Sequence, residues 1–93
     1  MPHVENDPEA LDQFRDQLVA FDRLLAEEYD RMVARWRDAS SFWADDQYEH
    51  MGESLEEVGK GIRVWLDTSE AHEEYLRKLV TELEALRSIR IRR

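Results

Sequence analysis

Between residues 46 and 88 the chain reads DQYEHMGESLEEVGKGIRVWLDTSEAHEEYLRKLVTELEALRS, and the spacing of its apolar residues decides the fold. Tyr48, Met51, Leu55, Val58, Ile62, Trp65, Ser69, His72, Leu76, Leu79, Leu83 and Leu86 follow one another in alternating steps of three and four. That is a heptad seam on one long helix. Ser69 and His72 form a polar step in it, a device that fixes register at some cost in stability. Gly52 and Gly59 lie one heptad apart beside the seam, where a missing side chain lets a facing helix approach closely. Asp67-Thr68-Ser69-Glu70 could instead stop the helix and cap a new one. The unbroken phase of the seam favours one helix.

Upstream, Asp7 and Pro8 are a good N-cap and first helical residue. Leu11, Phe14, Leu18, Phe21, Leu25, Tyr29, Met32, Trp36 and Ala39 then form a second stripe, with one four-residue stutter near Leu25. The two stripes are separated by Ser40, Ser41 and the capping acids Asp45 and Asp46. So short a turn makes the helices antiparallel neighbours. The expected organisation is a flexible N-terminus over 1–7, a helix over 8–39, a turn over 40–45, a helix over 46–88, and a basic tail over 89–93. The fold class is all-α: an antiparallel two-helix hairpin that dimerises into a four-helix bundle. A three-helix bundle broken near residues 67–69 is the alternative.

Composition agrees with this. The 93 residues hold 3 Gly, 2 Pro and no Cys, too few turn residues for a β fold and no thiolate for a disulfide or metal. The charge is -9, which disfavours phosphate backbones. All 22 acids lie between Glu5 and Glu84, whereas Arg87, Arg90, Arg92 and Arg93 crowd the C-terminal end. Cations there complement the helix dipole and also suit contact with an acidic partner. No apolar run approaches the ~18 residues of a membrane span, and the N-terminus lacks the pattern of a cleaved signal peptide. Those readings place the chain in the cytoplasm.

At 1.5 Å per residue the second helix outruns the first by ~18 Å. Folded about the turn, Trp36 meets Tyr48, Tyr29 meets Leu55, Phe21 meets Ile62, and Leu11 falls opposite His72 or Glu73. Leu76, Leu79, Leu83 and Leu86 then have no intramolecular cover, and an uncovered apolar row marks an interface. The expected partner is a second copy or a related hairpin.

Trp43, Asp45, Tyr48 and Met51 sit at the turn, with Met51 eight residues after Trp43. This arrangement resembles the WXG family of small helical hairpins, related to the early secreted antigenic target and exported by type VII secretion. Here the motif is W-x-D, with Asp45 in place of the Gly. The resemblance implies a homo- or heterodimeric interaction module and export without a signal peptide. The family's export signal, Tyr followed four residues later by an acid, is absent: Val33, Gly52 and Leu79 stand at that distance from the three tyrosines.

No catalytic residue, cofactor or metal is expected. His3, His50 and His72 are never three or four residues apart, and no Glu-x-x-His of a di-iron bundle occurs. Glu70, His72, Glu73 and Glu74 could meet a metal across a dimer axis, but a seam histidine setting register is the better reading. An acidic helical adaptor or antitoxin-like inhibitor that binds a basic partner is the alternative function.

Overall fold

The computed structural model describes residues 5–91. It is an antiparallel hairpin of two helices, α1 (Pro8–Asp38) and α2 (Asp46–Ile91), joined by a short 3-10 turn at Ala39–Ser41 and an irregular stretch. Asp7 caps α1: its Oδ1 accepts from the backbone N–H of Glu9 at 3.0 Å and of Ala10 at 3.4 Å. Pro8 occupies the first turn, where its missing N–H costs nothing. α1 ends where Phe42 and Trp43 both donate their backbone N–H groups to the Ala39 carbonyl.

α2 runs unbroken for 46 residues. The three-helix alternative is therefore excluded, because Asp67, Thr68 and Ser69 all lie inside the helix. Helix also continues through Ile89–Ile91, so the basic tail expected from residue 89 begins in helix. Arg92 and Arg93, like Met1–Val4, lie outside the described residues. The longest dimension, 72 Å, matches the ~69 Å of a straight helix of this length.

The helices meet along a seam different from the one expected. On α2 the covered residues are Leu55, Gly59, Ile62, Leu66, Ser69, Glu73, Leu76, Val80 and Leu83, again in alternating threes and fours. Met51, Val58, Trp65 and His72, assigned to the seam by periodicity, stand one position to the side and are exposed. On α1, Arg15, Asp22 and Val33 turn inward, and Phe14, Phe21 and Met32 turn out.

The glycines explain the choice. A Cβ on Gly52 would lie 2.8 Å from Cη2 of Trp36, and one on Gly59 would lie 2.7 Å from Cζ of Tyr29. Among the described residues none has a positive φ, so these glycines supply space rather than backbone freedom. The rings of Tyr29 and Trp36, seven residues apart, sink into notches seven residues apart on the antiparallel helix. Each ring is pinned there. Tyr29 Oη donates to the Leu55 carbonyl at 2.7 Å, and Trp36 Nε1 donates to the Tyr48 carbonyl at 2.9 Å.

Toward the open end α1 reaches further than expected. Arg87 pairs with Glu9, Pro8 is buried, and Val80 is only 6% exposed. Helical side chains lean toward their own N-terminus. In an antiparallel pair Glu9 therefore leans outward and Arg87 leans back to meet it. Leu76, Leu79 and Leu83 are consequently half-buried, and of the expected row Leu86 alone, at 58%, is exposed.

Candidate functional site: an open apolar face

Several of the apolar side chains left out of the seam gather on one side of the hairpin, while Val19, Leu24, Phe42 and Val64 are exposed as well. Phe21 and Trp65 meet across the two helices, edge to face, with ring centroids 6.2 Å apart. Beside them Phe14, Leu18, Trp65, His72, Tyr75 and Leu76 line a shallow hollow of about 360 Å³. Phe14, Phe21 and Met32 on α1, and Met51, Val58, Trp65, Tyr75 and Leu86 on α2, are all substantially exposed. The opposite side is polar: Arg23, Glu70 and Glu73 accompany Val19 and Leu66 there. A sustained apolar face of this kind is uncommon on an isolated chain.

The seam beneath this face is polar at its middle. Asp22 is buried, and Ser69 is 2% exposed. Ser69 Oγ donates to Asp22 Oδ2, and Trp65 Nε1 donates to Asp22 Oδ1 at 2.8 Å. Burial alone would raise the Asp22 carboxyl, but hydrogen bonds from Ser69, Glu73 and Trp65 outweigh it and hold the pKa below the usual value. Glu73 is pushed the other way, by burial first and then by the hydrogen bond and charge of Asp22. The pair thus keeps a proton on Glu73 more readily than on Asp22. The polar register step therefore consists of Asp22, Ser69 and Glu73, and His72 is outside it. His72 is exposed, with Nδ1 2.9 Å from the Thr68 carbonyl of its own helix.

Glu73 turns inward, and Arg77 pairs with its neighbour Glu74, Nη2 to Oε1 at 2.6 Å. Glu70, His72, Glu73 and Glu74 do not converge, and among the described residues no group of His and acidic side chains is placed to hold a metal. No helix among them is long and apolar enough to cross a membrane.

At the bend, Asp45 does two things with one oxygen. Its Oδ1 accepts the backbone N–H of Gln47 at 2.9 Å, capping α2, and the indole N–H of Trp43 at 2.7 Å. Trp43 in turn meets the Tyr48 ring edge-on at 5.6 Å, and Tyr48 stacks on Trp36 at 4.6 Å. Trp43, Asp45 and Tyr48 thus form one connected unit. Met51 is not part of it and lies on the exposed flank.

Charge is polarised along the rod. Residues 38–57, at the bend, carry seven acids and no Lys or Arg. At the open end the Arg87–Glu9 ion pair holds the Glu9 carboxyl down to about 2. The two helices and the bend follow from caps and periodicity, but the column that lies inside is not the most apolar one. A usable signal was present: Tyr29 and Trp36 match Gly59 and Gly52 in spacing and in opposite order.

No protein-family model matches this chain, and no curated protein or solved structure is similar enough to be matched to it.

Proposed function

We propose that the chain is a non-enzymatic protein–protein interaction module of the WXG type, a helical hairpin that works as a homodimer or as a heterodimer with a related hairpin in type VII secretion. The observation that carries this reading is the exposed apolar face centred on Phe21 and Trp65. A second pair of helices laid on that face makes a four-helix bundle, the usual way for a single layer to bury its second side. The secretion setting rests on the W-x-D bend, where Asp45 caps α2 in place of the family's Gly.

Light scattering on the purified protein, paired with affinity capture from the source organism, tests the reading. A dimeric mass, or capture of another small helical hairpin, is the expected result. A compact monomer that retains no helical partner overturns it.

The acidic bend favours a second reading, an adaptor or inhibitor for a basic protein. Such a complex dissociates as salt rises, since screening removes long-range attraction. A complex held by the apolar face persists.

A further inference from the structure

We propose that the cover of the open face is a second copy of this chain, laid antiparallel, with the two-fold axis crossing α2 next to Thr68 and passing close to Phe21 of α1. The inference rests on the interaction-module reading and names its partner.

The column of α2 residues beside the seam is Met51, Val58, Trp65, His72, Leu79 and Leu86. It is symmetric about the point between residues 68 and 69. A two-fold axis there sets Met51 against Leu86 of the second copy, Val58 against Leu79, and Trp65 against His72. The last pairing brings the second indole over the hollow lined by Phe14, His72, Tyr75 and Leu76. One heptad column further out, Gly61, Thr68 and Tyr75 share a face, and Thr68 and Tyr75 line that same hollow. This outer column is symmetric about Thr68 itself, half a residue or ~0.8 Å from the first centre, so an axis beside Thr68 sets Gly61 against Tyr75. Gly61 has nothing within 4 Å of where its Cβ would be, so no contact within the hairpin accounts for it. Tyr75 is 62% exposed. Within the hairpin, Tyr29 and Trp36 fill glycine notches. Gly61 is a third notch, and Tyr75 of the second copy is the ring that fits it.

Area and charge point the same way. The accessible surface is 7847 Å², whereas a compact protein of this mass exposes about 5,700 Å². The excess is close to what each chain of an obligate dimer buries, ~1,000–2,500 Å². A parallel pairing would put both seven-acid bends at one end. The antiparallel pairing separates them.

The cysteine-free sequence makes the test direct. Light scattering on the intact protein should give twice 11.1 kDa, and Gly61→Gln, which fills the notch with a good helix former, should shift the mass toward one chain with helix content kept. Under mild oxidation Thr68→Cys should cross-link to itself. Val58→Cys and Leu79→Cys should each fail to do so alone, yet cross-link when coexpressed. Cross-linking of coexpressed Met32→Cys and Val58→Cys instead would indicate a parallel pair and overturn the proposal. A single-chain mass at tens of micromolar would also overturn it. In that case capture of a different hairpin would leave the interaction-module reading standing, and capture of none would remove both.

Discussion

The bend half and the middle of the hairpin are held by different physics. At the bend, rings enter glycine notches and donate to backbone carbonyls of α2, so shape and hydrogen bonding specify the same register. In the middle, Asp22, Ser69 and Glu73 meet across the seam, and two carboxyl groups must share one small space. Ring packing and hydrogen bonds to backbone set the first region, and a buried polar cluster sets the second. The difference teaches that a single-layer hairpin need not place its largest apolar groups inside. It places there what the partner helix can accommodate at close range, and leaves the rest on a flank.

Substitutions can break or sharpen this contrast. Trp36→Ala removes the stack on Tyr48 and empties the Gly52 notch, and should cost ~3 kcal/mol in chemical unfolding. Gly59→Ala gains ~1 kcal/mol in helix propensity but overlaps Tyr29, an overpacking of ~1–3 kcal/mol. A net loss of stability, with Tyr29 displaced from the Leu55 carbonyl in NMR spectra, is the expected outcome. Asp45→Ala should cost ~1 kcal/mol through loss of the cap, and should alter Trp43 fluorescence because the same oxygen holds the indole.

The middle responds in the opposite sense. Glu73 has a raised pKa in the fold, so the folded protein binds its proton more tightly than the unfolded chain does. That contribution is fully present below the ordinary glutamate value and is lost as pH rises through the folded pKa. Glu73→Gln should therefore stabilise the protein at pH 7 and flatten the fall in stability across that interval. Denaturant midpoints measured from pH 4 to 8 check this. Glu9 behaves in reverse. Its lowered pKa gives a contribution that is present above 4.5 and lost as pH falls through about 2. Glu9→Gln should produce the smallest change of the set, seen as faster amide exchange in the first turn of α1.

Much of the architecture was legible in the sequence because it depends on short-range chemistry. Asp7-Pro8 announced the start of α1, and Ser40–Asp46 announced the bend. Gly52 and Gly59 announced close approach. The choice of inner column was not legible from hydrophobicity. Each stripe is broad enough to offer two seams, and the apolar one was the natural selection. Asp22, Ser69 and Glu73 reverse that preference because they satisfy one another, which periodicity does not register. The leucine row was misjudged for a related reason. Helix length alone ignores the lean of side chains that joins Arg87 to Glu9.

The two pins at Tyr29 and Trp36 also restrict how the rods can move. Slipping one past the other by a turn means a 5.4 Å translation, which would take both donors off their carbonyls at once and drive both rings out of their notches. Splaying starts with release of the exposed Arg87–Glu9 pair at the far end and must then break the bonds of Asp22 to Ser69 and Trp65. The molecule is thus closer to a pair of tongs than to a slide, latched at mid-length, with its hinge at the tryptophan-rich corner.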